Sequence, residues 1–200
     1  MTDSTLVAAD LAFLLPEPLN GAVTAINRTL LPPPDGFRFD TTHLPHLTVV
    51  QQFVRRDALG EISNTIAQAI AGLDAMTLAT TELTTGRVAH TVRVALTPEL
   101  LALHRRLLDD LAPFQEVTAT PDAFWTDGDQ PRPSDVEWVS AFRQHAAGAS
   151  FDPHITIGVG RIETTLTPSR FVASEVALFQ LGRFCTCRRV LDAWTLTEPD

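Results

Sequence analysis

Pro45-His46-Leu47-Thr48-Val49-Val50 recurs later in the chain as Pro153-His154-Ile155-Thr156-Ile157-Gly158. Each copy is proline, histidine, an aliphatic residue, threonine and another aliphatic residue. The β-branched and aliphatic content predicts a strand, with proline admissible at its first residue. Side chains alternate faces along a strand, so residues i and i+2 share a side. His46 and Thr48 are therefore expected to point one way, and Leu47 and Val49 the other way, into a core. His154 and Thr156 are likewise set apart from Ile155 and Ile157. Two imidazole–hydroxyl pairs of one pattern predict two related half-sites facing one cleft.

Outward from these strands, apolar spacing and turn residues order the remainder. A strand over 5–15 is followed by a helix over 18–30, stopped by Pro32, Pro33 and Pro34. Residues 36–54 lead into and include the first histidine strand, after which Asp57 is the expected cap of a helix with Leu59, Ile62, Ile66, Ile70 and Leu73 on one face. Strands near 76–85 and 89–96, joined around Gly86, precede a helix opened by Thr97-Pro98 and closed by Pro113. Residues 114–133 form a long irregular stretch carrying Phe124 and Trp125, the kind of loop that is more often functional than idle. Ser134 and Glu137 predict a capping box for a helix bearing Trp138, Val139 and Phe142. The second histidine strand and two more, near 175–183 and 185–196, complete the chain. Helices interspersed with hairpin-like strand pairs predict an α+β fold with mixed or antiparallel sheets, in one domain over 1–200.

The 200 residues suffice for one sizeable core without staples, and 44% hydrophobic with 20% charged residues is ordinary globular composition. A formal charge of −9 disfavours a binder of long nucleic acid or of an anionic membrane, while leaving room for a small phosphorylated ligand. Every basic residue is arginine, which reads as compositional bias. Cys185 and Cys187 share a strand face at the edge of disulfide geometry and are expected to be reduced, in a cytoplasmic protein. Neither a signal peptide nor a membrane span is visible.

Two imidazoles on one cleft suit acid–base chemistry near neutrality, one neutral and one protonated at the same pH. Hydroxyls of Thr48 and Thr156 would hold phosphate oxygens. A metal site is the competing chemistry, but His43, His90, His104 and His145 are scattered and no HExxH-like spacing occurs. The bland alternative is that each histidine simply hydrogen-bonds near the surface. Gln52 shares the His46 face and is a candidate contact. Gly158, on the His154 face, leaves room for a ligand. Phe124 and Trp125 either stack on a base or anchor their loop.

His46-Leu47-Thr48-Val49 and His154-Ile155-Thr156-Ile157 resemble the paired signature of the two-histidine (2H) phosphoesterases, the 2′-5′ RNA ligase-like and cyclic nucleotide phosphodiesterase proteins. Gln51-Gln52-Phe53-Val54, Trp138-Val139 and Phe151-Asp152 are similar in context. The resemblance implies a bilobal, pseudo-twofold α+β fold around a central cleft, with no required metal or other cofactor. It implies His46 and His154 as the acid–base pair, Thr48 and Thr156 as phosphate contacts, and chemistry at 2′,3′-cyclic phosphates or 2′-5′ linkages. Some branches carry an arginine close behind the second motif; here the nearest, Arg161, comes later and by alternation points away. A small nucleotide or short RNA end is the expected substrate of a monomeric protein. A nucleotide-binding module with little turnover is the alternative.

Overall fold

The computed structural model describes residues 5–86 and 89–197. Eight strands and four α-helices are found among them: β1 (Leu6–Leu14), α1 (Leu19–Asn27), β2 (His46–Arg55), α2 (Leu59–Ile70), β3 (Met76–Thr85), β4 (His90–Val94), α3 (Pro98–Leu111), α4 (Pro133–His145), β5 (His154–Gly158), β6 (Arg170–Ala173), β7 (Glu175–Gly182) and β8 (Thr186–Thr195). The strands form two four-stranded sheets, ordered β2-β1-β7-β8 and β5-β4-β3-β6. Every pair within them is antiparallel, one of the two sheet arrangements expected.

The two sheets are built alike. In each, a histidine strand occupies one edge and pairs with the strand that precedes it in sequence, β1 for β2 and β4 for β5. The two edge strands lie against each other, which brings the sheets together at the histidines. This is the expected pseudo-twofold arrangement. Leu47, Val49, Ile155 and Ile157 are all fully buried in one apolar cluster with residues of α1, α2 and α3. The alternation of each motif thus supplies the inward anchors of its histidine strand.

β6 was not anticipated. Only Ser174 separates it from β7. Yet β6 pairs with β3 in one sheet and β7 with β1 in the other. The chain crosses between sheets at that residue.

Two helix starts differ from expectation. Asp57 does not cap α2; its carboxylate accepts from the Arg55 guanidinium (Nε to Oδ1, 2.9 Å) and the helix begins after a 3-10 turn at Arg56–Ala58. In α4, Pro133 takes the first helical position, so Arg132 is the cap. Asp135, rather than Glu137, closes the box by accepting from the Arg132 backbone N–H at 2.8 Å. Thr97 does cap α3, accepting from Leu100 N at 3.2 Å. No described helix is long and apolar enough to cross a membrane.

Buried polar groups fasten the elements around the histidine strands. Asn27, fully buried at the end of α1, donates to the Ile157 carbonyl at 2.8 Å and the Phe37 carbonyl at 3.1 Å, and accepts from Phe39 N at 2.9 Å. His104 of α3 bonds the Val49 carbonyl through Nδ1 at 2.7 Å and accepts from Gly148 N through Nε2 at 2.9 Å. A carbonyl can only accept, so His104 is the neutral Nδ1–H tautomer, and burial lowers its pKa.

Candidate active site

A cleft of about 500 Å³ lies between the sheets, and His46, Thr48, His154 and Thr156 all line it. The two histidines are held identically. His46 Nδ1 lies 2.8 Å from the Leu44 carbonyl, and His154 Nδ1 lies 2.8 Å from the Asp152 carbonyl. Each ring thus bonds the carbonyl two residues upstream. Because the carbonyl accepts, Nδ1 carries a hydrogen in both rings, and Nε2 is the atom left to gain or lose a proton.

The residues around His46 follow from an irregularity in β2. Its register with β1 runs Leu14↔His46 and Ala12↔Thr48, then jumps to Leu11↔Val50 and Asp10↔Gln51. Val49 is the extra residue of a β-bulge, and both Val49 and Val50 face the core. Strict alternation would have put Gln52 beside His46. The bulge instead places Gln51 in the cleft and turns Gln52 away. Gln52 donates to the Leu111 carbonyl at 3.0 Å and accepts from Arg143 Nη2 at 2.7 Å, a buried tie between β2, α3 and α4.

Beneath Thr48 lies Asp10, fully buried on β1. Its Oδ2 accepts from Thr48 Oγ1 at 2.8 Å and from Gln51 Nε2 at 2.7 Å, and lies 3.8 Å from His46 Nε2. Its Oδ1 has no hydrogen-bond partner. Burial pushes the Asp10 carboxyl up, while a charged His46 and the Gln51 and Thr48 bonds pull it back. Asp10, His46 and Cys187 offer ligand atoms within 4.8 Å of one another. They fit a cation poorly. Burial holds Cys187 well toward the neutral thiol, and Oδ2 already accepts two hydrogen bonds.

The other wall is aromatic. Trp138, on α4, is 44% exposed and lines the cleft, its Nε1 donating to Gln51 Oε1 at 3.0 Å. It therefore serves the cleft, while Val139 and Phe142 of the same helix are buried. Phe184 lines the cleft in a left-handed conformation (φ 63°) unusual outside glycine, followed by Cys185 at φ 52°. Asp135 accepts from Phe184 N at 3.0 Å, and the Arg132 guanidinium lies 3.9 Å over the Phe184 ring. Such a backbone costs about 1–3 kcal/mol and persists because its surroundings fix it.

The remaining expectations sort clearly. Phe124 is buried, edge-on to Phe53 at 5.9 Å, and Trp125 bonds Leu181 through its backbone, with Arg189 5.1 Å over its ring. Neither lines the cleft; both anchor their loop. Gly158 leaves no room for a ligand, because a Cβ there would meet Leu30 Cδ1 at 2.8 Å and Asn27 Nδ2 at 3.1 Å. Its missing side chain admits α1. Arg161 is exposed and paired with Glu163 at 3.4 Å. Both cysteines are free, with Cys185 in a 3-10 turn before β8.

Residues 15–190 match the family described as the 2′-5′ RNA ligase superfamily. The fold is shared with a structure described as a phosphoesterase (19% identity, TM-score 0.58, 96% of this chain and 99% of that one). It is also shared with the TT0787 protein of Thermus thermophilus (12%, TM-score 0.62, 96% and 100%). E. coli LigT complexed with 3′-AMP is a third (17%, TM-score 0.58, 96% and 99%). No curated protein sequence matches the chain.

Proposed function

The chain belongs to the 2′-5′ RNA ligase superfamily, the two-histidine phosphoesterases, and on that premise we propose that it is a metal-independent phosphodiesterase. Its substrates on this reading are 2′,3′-cyclic phosphates, of a small nucleotide or an RNA terminus, or 2′-5′ linkages. The single observation that carries the reading is the pair of rings in one cleft, each with Nδ1 satisfied and Nε2 free to move a proton.

In hydrolysis of a cyclic phosphate, one neutral Nε2 takes a proton from water as its oxygen attacks phosphorus. The bond from phosphorus to a ribose oxygen breaks, and the protonated Nε2 of the other ring gives that oxygen its proton. The product is a phosphomonoester, and solvent returns the displaced proton between the rings. Each proton transfer contributes about 10²–10⁴-fold. A cleft of about 500 Å³ on a chain of −9 charge suits a nucleotide better than a long polyanion. Exposed Trp138 offers a π-face to a base. A neighbour of like fold, LigT, has been crystallised with 3′-AMP, a nucleotide of comparable size.

The test is turnover of 2′,3′-cyclic nucleotides and 2′-5′-linked dinucleotides by purified protein before and after exhaustive EDTA treatment. We expect hydrolysis that EDTA leaves unchanged. Activity lost to EDTA and restored by zinc would replace this mechanism with a metal-dependent one. Tight nucleotide binding without turnover would reduce the protein to a binding module.

A further inference from the structure

We propose that Arg132 and Arg183, sharing the Phe184 ring, form a subsite for a second phosphate, the one on the 5′-oxygen of the nucleotide whose 2′,3′-phosphate meets the histidines. That the ligand is a nucleotide rests on the proposed function above; the subsite itself rests on the arginines.

The cleft continues past the histidine motifs to the start of α4. Trp138 marks the level of the reacting centre, because it bonds Gln51, which bonds Asp10 beside His46. Asp135 comes one turn earlier on the helix, about 5 Å along its axis, and Arg132 caps the helix before it. Arg132, Ser134 and Asp135 line this end of the cleft together with Phe184. The offset from Trp138 suits a neighbouring phosphate of the same ligand rather than the reacting one.

The Arg132 side chain is only partly committed. The face of its guanidinium lies 3.9 Å over the Phe184 ring. One edge is bonded to Asp135 Oδ1, from Nε at 3.0 Å and from Nη2 at 2.5 Å. Nη1 has no hydrogen-bond partner among the described residues, and the side chain is 28% exposed. A guanidinium carries five N–H donors in a rigid fork, and a free edge of that fork matches two phosphate oxygens. Asp135 thus holds Arg132 by one edge and leaves the other for a ligand.

The second arginine comes from the strained turn. Asp135 also accepts from Phe184 N at 3.0 Å, so one buried carboxylate fixes both the first arginine and the left-handed residues Phe184 and Cys185. Arg183 immediately precedes them, its guanidinium 5.2 Å from the same phenyl ring. Its buried Nε bonds nothing, and it has no ion-pair partner among the described residues. Two cations on one ring repel each other, and the one carboxylate between them leaves a net positive charge there in a chain of −9. Neighbouring charges are paired elsewhere: Asp152 with Arg93 at 3.3 Å, and Arg188 with Asp127 at 4.0 Å. An anion at the free edge of Arg132 would balance this pair. A free 5′-phosphate and the linkage to a preceding nucleotide would both supply it.

The probes are adenosine 3′-phosphate and adenosine 3′,5′-bisphosphate, which differ only in the 5′-phosphate, titrated into purified protein by calorimetry. We expect the bisphosphate to bind about tenfold more tightly, the gain from one charge-assisted contact. Arg132→Met and Arg183→Met keep much of each stem, and each should bring the ratio of the two affinities toward one. Kinetics identify the source of the phosphate. The measurement is kcat/KM for a 2′,3′-cyclic nucleotide with a 5′-hydroxyl, with a 5′-phosphate, and at the end of a dinucleotide. An advantage in KM for the second assigns a terminal phosphate, and for the third the linkage of an RNA end; an advantage for neither overturns the proposal. Equal affinity of the wild type for the two probes overturns it whether or not the variants fold, and so does an unchanged ratio in either variant shown by thermal melt to be folded. If the bisphosphate preference depends on the arginines while no substrate is hydrolysed, the hydrolytic reading fails and the subsite stands.

Discussion

Thr48 and Thr156 occupy the same place in their motifs and differ in what they can give. The Thr48 hydroxyl has one proton, and it goes to Asp10 at 2.8 Å. The Thr156 hydroxyl faces the cleft, with no protein acceptor among the described residues. Threonine to valine keeps the branched shape and removes the hydroxyl. We expect Thr156→Val to raise KM for a cyclic nucleotide about tenfold, the loss of one hydrogen bond to a charged group. Thr48→Val acts mainly by unsettling Asp10 and should raise KM less. Steady-state kinetics of the two variants, with thermal melts as the folding control, decide this; equal KM effects would mean that both hydroxyls reach the phosphate. At this scale much was legible. The repeated His-x-Thr named the four residues that the cleft brings together. Asp10 also left a signal, a carboxylate amid Ala8, Ala9, Leu11 and Ala12, where a buried strand has no water to solvate it.

The strand β2 shows where residue patterns stop informing. Alternation put Gln52 in the cleft, and one extra residue at Val49 reversed that for everything after it. Both Val49 and Val50 are apolar, so either parity looks acceptable in the sequence. The bulge predicts opposite behaviour for adjacent glutamines. Gln52→Ala removes the interior bonds to the Leu111 carbonyl and to Arg143 and should cost about 2 kcal/mol of stability. Its kinetic constants should stay near wild type. Gln51→Ala frees Trp138 and one bond of Asp10, both at the cleft, and should raise KM with a smaller change in melting temperature. Denaturant titration and kinetics of both variants check the pair; a Gln52 variant that is stable but impaired would restore the alternating strand. β6 escaped for a similar reason. Sequence continuity across Ser174 conceals a change of sheet, because pairing partners far along the chain decide which sheet a short strand joins.

Across the whole molecule, buried neutral histidines link the sheets and helices to pH. His43 is held near 3 chiefly by burial, with the Arg188 charge adding to it, and burial also lowers His104. A histidine whose folded pKa is depressed below its unfolded value of about 6.5 stabilises the protein fully above that value, and the stabilisation is lost as pH falls toward the folded pKa. His43 alone should therefore cost about 2 kcal/mol between pH 7 and pH 5. Melting temperatures of wild type and His43→Gln at both values test this. The variant should lose less than wild type over the interval, and parallel losses would mean that His43 is not buried neutral. The antiparallel layout of two like sheets was expected from the repeated motif in outline. The cleft's aromatic wall was not, since Trp138 and Phe184 come from a helix and a strained turn with no shared pattern.

On the proposed mechanism, His46 and His154 act as one acid–base unit. Its most direct test is kcat/KM toward a 2′,3′-cyclic nucleotide for His46→Ala, His154→Ala and the double variant, each shown by thermal melt to be folded. We expect each single change to cost about 10²-fold or more, and the double to cost far less than the product of the two, since groups serving one step are not additive. Folded single variants that turn over near the wild-type rate would contradict it.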